Sequence, residues 1–130
     1  MGKEKKILLV DDEQDFLQLM KFWLESKGYS IVTAGDGEAA IDLVKKEELN
    51  IILIDLRMPK MDGVETIKRI RGFNKNIPII VISAYVDDPR AAETMKYGIS
   101  GIFCKHKDFQ EGLSLLESAL RVHKNLKHSS

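Results

Sequence analysis

Five short apolar runs alternate along the chain with five stretches whose apolar residues recur at helical spacing. The first run, Ile7-Leu8-Leu9-Val10, stops at Asp11-Asp12. Phe16, Leu17, Met20, Trp23 and Leu24 then predict a helix over Gln14 to Lys27, which Gly28 ends. Ser30 to Ala34 reads as a strand, and Asp36 as the N-cap of a helix through Ala40, Ile41 and Val44. Ile51 to Ile54 is wholly apolar and ends at Asp55. A loop with Pro59 and the turn pair Asp62-Gly63 leads into a helix over Val64 to Arg71. Ile79 to Ile82 ends at Ser83, and Pro89 opens a helix that Gly98 stops. Ile102-Phe103-Cys104 ends at Lys105, and Asp108 caps a last helix carrying Leu113, Leu116 and Leu120.

Apolar runs without polar alternation predict strands buried on both faces, as in a parallel sheet covered by helices. Regular strand–helix alternation then predicts an α/β, doubly wound (βα)₅ fold with a five-stranded parallel sheet and helices on both faces. Residues 1–124 form one domain in this reading, and 125–130 a frayed tail. The 130 residues leave no room for a second domain of ordinary size. An apolar fraction of 44% supports a real core. Twenty basic residues cancel twenty acidic ones, so no global attraction to nucleic acid or anionic lipid is expected. The lone Cys104 rules out an intrachain disulfide and reads as a buried structural thiol. No signal peptide, myristoylation motif or membrane span is read, and the expected location is the cytoplasm.

All strands of a parallel sheet end on one edge, where functional groups gather. Asp11, Asp12 and Asp55 should converge there with the Ser83 hydroxyl and the Lys105 amine. Two carboxylates about 4 Å apart repel by roughly 4 kcal/mol at an effective dielectric of ~20. Either their pKa values rise or a cation binds. Oxygen donors with positions left for water and phosphate suit Mg²⁺, and the lack of Cys and His argues against zinc. A carboxylate such as Asp55 can attack phosphorus and give an aspartyl phosphate. A metal ion, Lys105 and Ser83 could then each hold one peripheral oxygen.

The segments Ile7-Leu-Leu-Val-Asp-Asp-Glu13, Ile54-Asp-Leu-Arg-Met-Pro-Lys-Met-Asp-Gly63, Val81-Ile-Ser-Ala84 and Phe103-Cys-Lys105 resemble response-regulator receiver domains, from about Lys5 to Val122. The resemblance implies a flavodoxin-like fold and phosphoryl transfer to Asp55 from a histidine kinase or histidine phosphotransfer protein. It implies Mg²⁺, with Mn²⁺ as a substitute. Asp12 and Asp55 would be direct ligands, Asp11 a ligand through water, and the backbone carbonyl of Arg57 would complete the shell. Ser83 would be the switch hydroxyl and Lys105 the phosphate-binding lysine. Such a protein is no enzyme in the ordinary sense; it catalyses only its own phosphorylation and dephosphorylation. Its output would be contact with a protein target or effector domain through the fourth helix, fifth strand and fifth helix.

Two positions depart from the family. Ile102 stands where an aromatic switch residue is common, so no aromatic switch is carried over. His106 stands where the family has a cis proline. Since a non-proline cis bond costs about 2.5–4 kcal/mol, this peptide is expected either trans with a shifted loop or cis under strain. Arg57 and Tyr85, each two residues past a reactive position, are bulky and predict slow loss of the phosphoryl group. Taken singly, Asp11-Asp12 reads as caps, Ser83 as a loop hydroxyl and Lys105 as a surface lysine; only their combination suggests chemistry. Trp23, Phe16 and Met20 read as core, Lys45 to Glu48 as a solvated helix face, and His106, His123 and His128 as solvated. Tyr85 and Phe109 read equally as a partner surface or as packing. A phosphatase with an aspartate nucleophile lacks its second acid here, because Arg57 occupies that position. A flavodoxin would suffer repulsion of its flavin phosphate by Asp11-Asp12-Glu13. A pseudo-receiver that binds partners without phosphorylation is the remaining alternative.

Overall fold

The structure is a computed structural model that describes residues 4–84, 87–105 and 108–128, with side chains as far as Val122. Five strands, β1 (Lys6–Val10), β2 (Ser30–Ala34), β3 (Ile51–Asp55), β4 (Ile79–Ser83) and β5 (Gly101–Cys104), form one sheet. Five helices alternate with them: α1 (Gln14–Ser26), α2 (Gly37–Lys46), α3 (Gly63–Arg71), α4 (Pro89–Thr94) and α5 (Phe109–His128). The strand order is β2-β1-β3-β4-β5, and every neighbouring pair is parallel. The doubly wound expectation is met.

Period-two alternation divides the core. Ile7, Leu9, Leu53, Ile80, Ile82 and Phe103 pack on one face against Leu17, Met20 and Leu24 of α1 and Leu113 and Leu116 of α5. Leu8, Val10, Ile52, Ile54 and Val81 pack on the other against Ala40 and Val44 of α2, Ile67 and Ile70 of α3 and Ala91 of α4. β1, β3 and β4 are central and covered on both sides, as their unbroken apolar runs require.

β5 is an edge strand and behaves differently. Phe103 is buried, but Ile102 is exposed and Cys104 only half-buried. Cys104 is therefore not the fully buried thiol expected. Its apolar neighbours suggested cover that the short α4 does not provide.

The caps explain where the helices begin. Asp36 accepts the Ala39 N–H at 2.8 Å, and Asp62 accepts the Glu65 N–H at 3.0 Å. Asp62-Gly63 is thus the start of α3 rather than a free turn. Asp88 caps α4 by accepting the Arg90 N–H at 3.0 Å, with Pro89 in the first turn. The stretch expected as one helix from Pro89 to Gly98 is divided. After Thr94 it tightens into a 3₁₀ turn, Met95–Tyr97, which Gly98 closes at φ +69°. The helix α5 runs to His128, through the start of the segment read as a tail.

Ile80 and Ile102 look alike in sequence, yet they are 1% and 43% exposed. Ile80→Ala should cost about 2–5 kcal/mol of unfolding free energy. Ile102→Ala should cost less than ~1 kcal/mol. Urea denaturation of the two variants checks the difference.

Candidate functional site

Strand order places the site. Sequence-adjacent elements leave β1 to one side and enter β3 on the other, so the carboxyl ends of β1 and β3 flank the point where winding reverses. Register then aims the side chains. Val10 pairs with Ile54, and Asp55 pairs with Ile82. The ladder continues past the strands through Asp11 N–H to Ala34 O at 3.1 Å and Lys105 N–H to Ser83 O at 2.7 Å. By alternation Asp11, Asp55 and Lys105 share the parity of Leu9, Leu53 and Phe103, on the side of α1 and α5. Ser83, the last residue of β4, has the opposite parity and is buried.

Asp11, Asp55, Ser83 and Lys105 are all buried, and Asp12 is exposed. One carboxylate oxygen from each of Asp11, Asp12 and Asp55 lies within 4.8 Å of the others. Asp11 Oδ1 accepts the Glu13 N–H at 2.9 Å. Asp11 Oδ2 lies 2.8 Å from Lys105 Nζ, an ion-pair contact between two buried groups. Lys105 Nζ also donates to Glu13 Oε1 at 2.6 Å and stands 3.7 Å from Asp55 Oδ2. Its remaining flank lies over the Phe16 ring, 4.6 Å from the centroid.

Burial and crowding perturb these groups strongly. Burial, then the neighbouring charge of Asp11, pushes the Asp55 carboxyl up to about 7, against the opposing pull of Lys105. Burial likewise raises Asp11. Burial works against the Lys105 charge, but Asp11 and Glu13 more than offset it and raise the ammonium. The acidic cluster is therefore short of positive charge, and its donors are all oxygen. These residues fit a hard divalent cation.

Arg57 follows the site at a distance of two residues, and its backbone N–H hydrogen-bonds Asp55. Its guanidinium reaches Asp88 Oδ2 at 2.9 Å, while Arg90 Nε stands 3.7 Å from Asp62 Oδ2. The β3–α3 loop and α4 thus exchange arginines. Asp88 was passed over in the sequence, although Asp before Pro at a helix start is a readable cap signal. Glu13 was seen only as part of an acidic strand end. Gly63 has a further role: a Cβ there would lie 2.5 Å from the Asp55 carbonyl oxygen and 2.8 Å from Leu56 Cα. Phe109, read as packing or partner surface, packs on Phe16, Trp23 and Phe103. Tyr85, His106 and the Lys105–His106 peptide lie outside the described residues, as do the His123 and His128 side chains.

The raised Asp55 carboxyl has a definite consequence for stability. The folded state keeps a proton that the unfolded chain has lost, so metal-free stability falls as pH rises from about 4 towards 7. Asp55→Asn should flatten that decline and raise metal-free stability at pH 8 by about 1–3 kcal/mol. Urea midpoints across pH in a chelator check both.

Residues 7–117 match the family model for the response regulator receiver domain. The chain is 34% identical over 128 residues to the transcriptional regulatory protein ZraR of Klebsiella oxytoca, covering 98% of this chain and 29% of that protein. It therefore spans under a third of that curated relative's length. It is also 34% identical over 107 residues to sporulation initiation phosphotransferase F of Bacillus subtilis, covering 82% of this chain and 86% of the relative. The crystal structure of response regulator protein TrrA from Thermotoga maritima, in complex with Mg(2+)-BeF, aligns with a TM-score of 0.81 at 29% identity, covering 88% of this chain and 98% of that one. A match over that much of the sequence, on a five-stranded parallel sheet of this order, makes the chain a member of the response regulator receiver domain family of two-component systems.

Proposed function

We propose that the chain is a phosphoacceptor receiver in which Asp55 takes a phosphoryl group from the phosphohistidine of a histidine kinase or histidine phosphotransfer protein. The observation that carries this reading is Lys105 Nζ at 3.7 Å from Asp55 Oδ2, with the oxygens of Asp11 and Asp12 gathered beside the same carboxylate. An Asp55 oxygen attacks phosphorus. The P–N bond breaks, its electron pair goes to the donor imidazole, and an acyl phosphate remains on the chain. Lys105 and the Ser83 hydroxyl bind peripheral phosphoryl oxygens, where charge gathers during transfer.

Asp12, Asp55 and the Arg57 carbonyl would hold Mg²⁺ or Mn²⁺, with Asp11 acting through water. Such an ion supplies countercharge for the cluster and a Lewis acid for a phosphoryl oxygen. That TrrA was solved in complex with Mg(2+)-BeF is in keeping with a divalent ion at a domain of this kind. Asp55 must be ionised to attack, so the proton that burial retains on it competes with both metal and phosphodonor.

The chain is the substrate of this transfer rather than an enzyme that releases product, and hydrolysis of the acyl phosphate returns it to the start. Phosphorylation is a local charge event that biases a two-state surface. The surface of α4, β5 and α5 would deliver that change to a protein target or effector domain, without direct nucleic-acid binding. No helix among the described residues is long and apolar enough to cross a membrane, and we place the chain in the cytoplasm.

Incubated with Mg²⁺ and a small acyl phosphodonor, the wild type should gain the mass of one phosphoryl group. Asp55→Asn and chelator-treated wild type should gain none. A wild type that binds Mg²⁺ but never gains that mass would favour the pseudo-receiver reading. Arg57, pinned beside the site by Asp88, and Tyr85 should shield the acyl phosphate from water. Arg57→Asn and Tyr85→Ala are each expected to shorten its lifetime severalfold. A timed decay by intact mass measures this, and a wild-type lifetime of seconds would contradict the shielding.

A further inference from the structure

We propose that Asp88, at the start of α4, is a positioning residue that sets the lifetime of the acyl phosphate on Asp55 by holding the side chain of Arg57. This inference rests on the phosphoacceptor reading above. Its basis is a buried carboxylate whose two oxygens serve two different elements. Asp88 Oδ1 accepts the Arg90 N–H at 3.0 Å and so caps α4. Asp88 Oδ2 accepts from Arg57 Nε at 2.9 Å, from a residue two past the reactive aspartate. The Asp88 side chain is 1% exposed and that of Arg57 51%. The carboxylate is the fixed member of the pair, and the guanidinium is the member it fixes.

Capping alone does not account for this residue. Serine or asparagine caps a helix start about as well as aspartate does, and neither takes a charge out of water. A buried carboxylate is destabilising unless it is paired and hydrogen-bonded. Here Arg57 is its ion-pair partner. The other end of Arg57 is bonded to the reactive group, because its backbone N–H reaches Asp55. Residue 57 is therefore held twice, by Asp55 through the main chain and by Asp88 through the guanidinium. A long arginine side chain that is half in water gains rotamer freedom when such an anchor is removed, and then spends less of its time beside the site. Arg57 has other interactions as well, so losing Asp88 should weaken the shielding in part and not abolish it.

The test uses the full chain, phosphorylated by a small acyl phosphodonor in Mg²⁺ and followed by intact mass after the donor is removed. Asp88→Ser keeps a cap for α4 but ends short of Arg57. Asp88→Asn keeps both the cap and a neutral acceptor, and Arg57→Met removes the guanidinium. Asp88→Ser should shorten the acyl phosphate lifetime about two- to fivefold, the scale of an ion pair with one exposed partner, and Asp88→Asn should shorten it less. In an Arg57→Met background Asp88→Ser should shorten it no further, since the route from Asp88 to the site is already gone. An unchanged lifetime in Asp88→Ser overturns the proposal. Equal shortening with and without the guanidinium overturns it too, because Asp88 would then act through α4 alone. Should Asp88→Ser not fold, Asp88→Asn decides by the same comparison across the two backgrounds. Failure of the underlying function looks different: wild type would gain no phosphoryl mass, and the role of Asp88 in its lifetime would fall with it.

Discussion

Like charges held together without enough countercharge are the constraint on which this molecule turns. The chain places Asp11 and Asp55 at the ends of adjacent central strands, where both are removed from water. The main chain of each is held in the ladder of the sheet. The Lys105 ammonium is divided among Asp11, Glu13 and, at longer range, Asp55. A proton on Asp55 or a cation among the oxygens relieves what Lys105 does not. Cores on both faces of the sheet supply the stability against which this local cost is set.

The same crowding draws several elements to one point. Lys105 stands near Asp11, Glu13 and Asp55 at once, which links β5 to the ends of β1 and β3 and to the start of α1. On the other side, Arg57 touches Asp55 through its backbone and the cap of α4 through its side chain. Asp55 is thus connected through Lys105 and Glu13 to the start of α1, and through Arg57 to the cap of α4.

How much of this was legible in the sequence varies with the kind of interaction involved. Local signals carried well: unbroken apolar runs marked the covered strands, and Asp36 and Pro89 marked helix starts. Meeting of the strand ends followed from parallel pairing alone, which brought Asp11, Asp12 and Asp55 onto one rim. Exposure of Ile102 was hidden, because an edge strand differs from a central one only through the order of the sheet. The Glu13–Lys105 pair was hidden for a similar reason: nothing in either residue's neighbourhood refers to the other. Arg57 was named for its bulk, but its direction depends on Asp88 of a helix that only the fold brings near. One-dimensional pattern reports what an element does with its own surface. It reports poorly on bonds between elements.

Gly63 ties the chemistry to the architecture most directly. Helix α3 begins against the peptide of Asp55, with only a hydrogen where any other residue would carry carbon. The absence of that one atom makes the helix and the end of β3 a common solid piece. A shift of the main chain at position 55 is therefore passed at once to the first turn of α3, with no intervening side chain to absorb it.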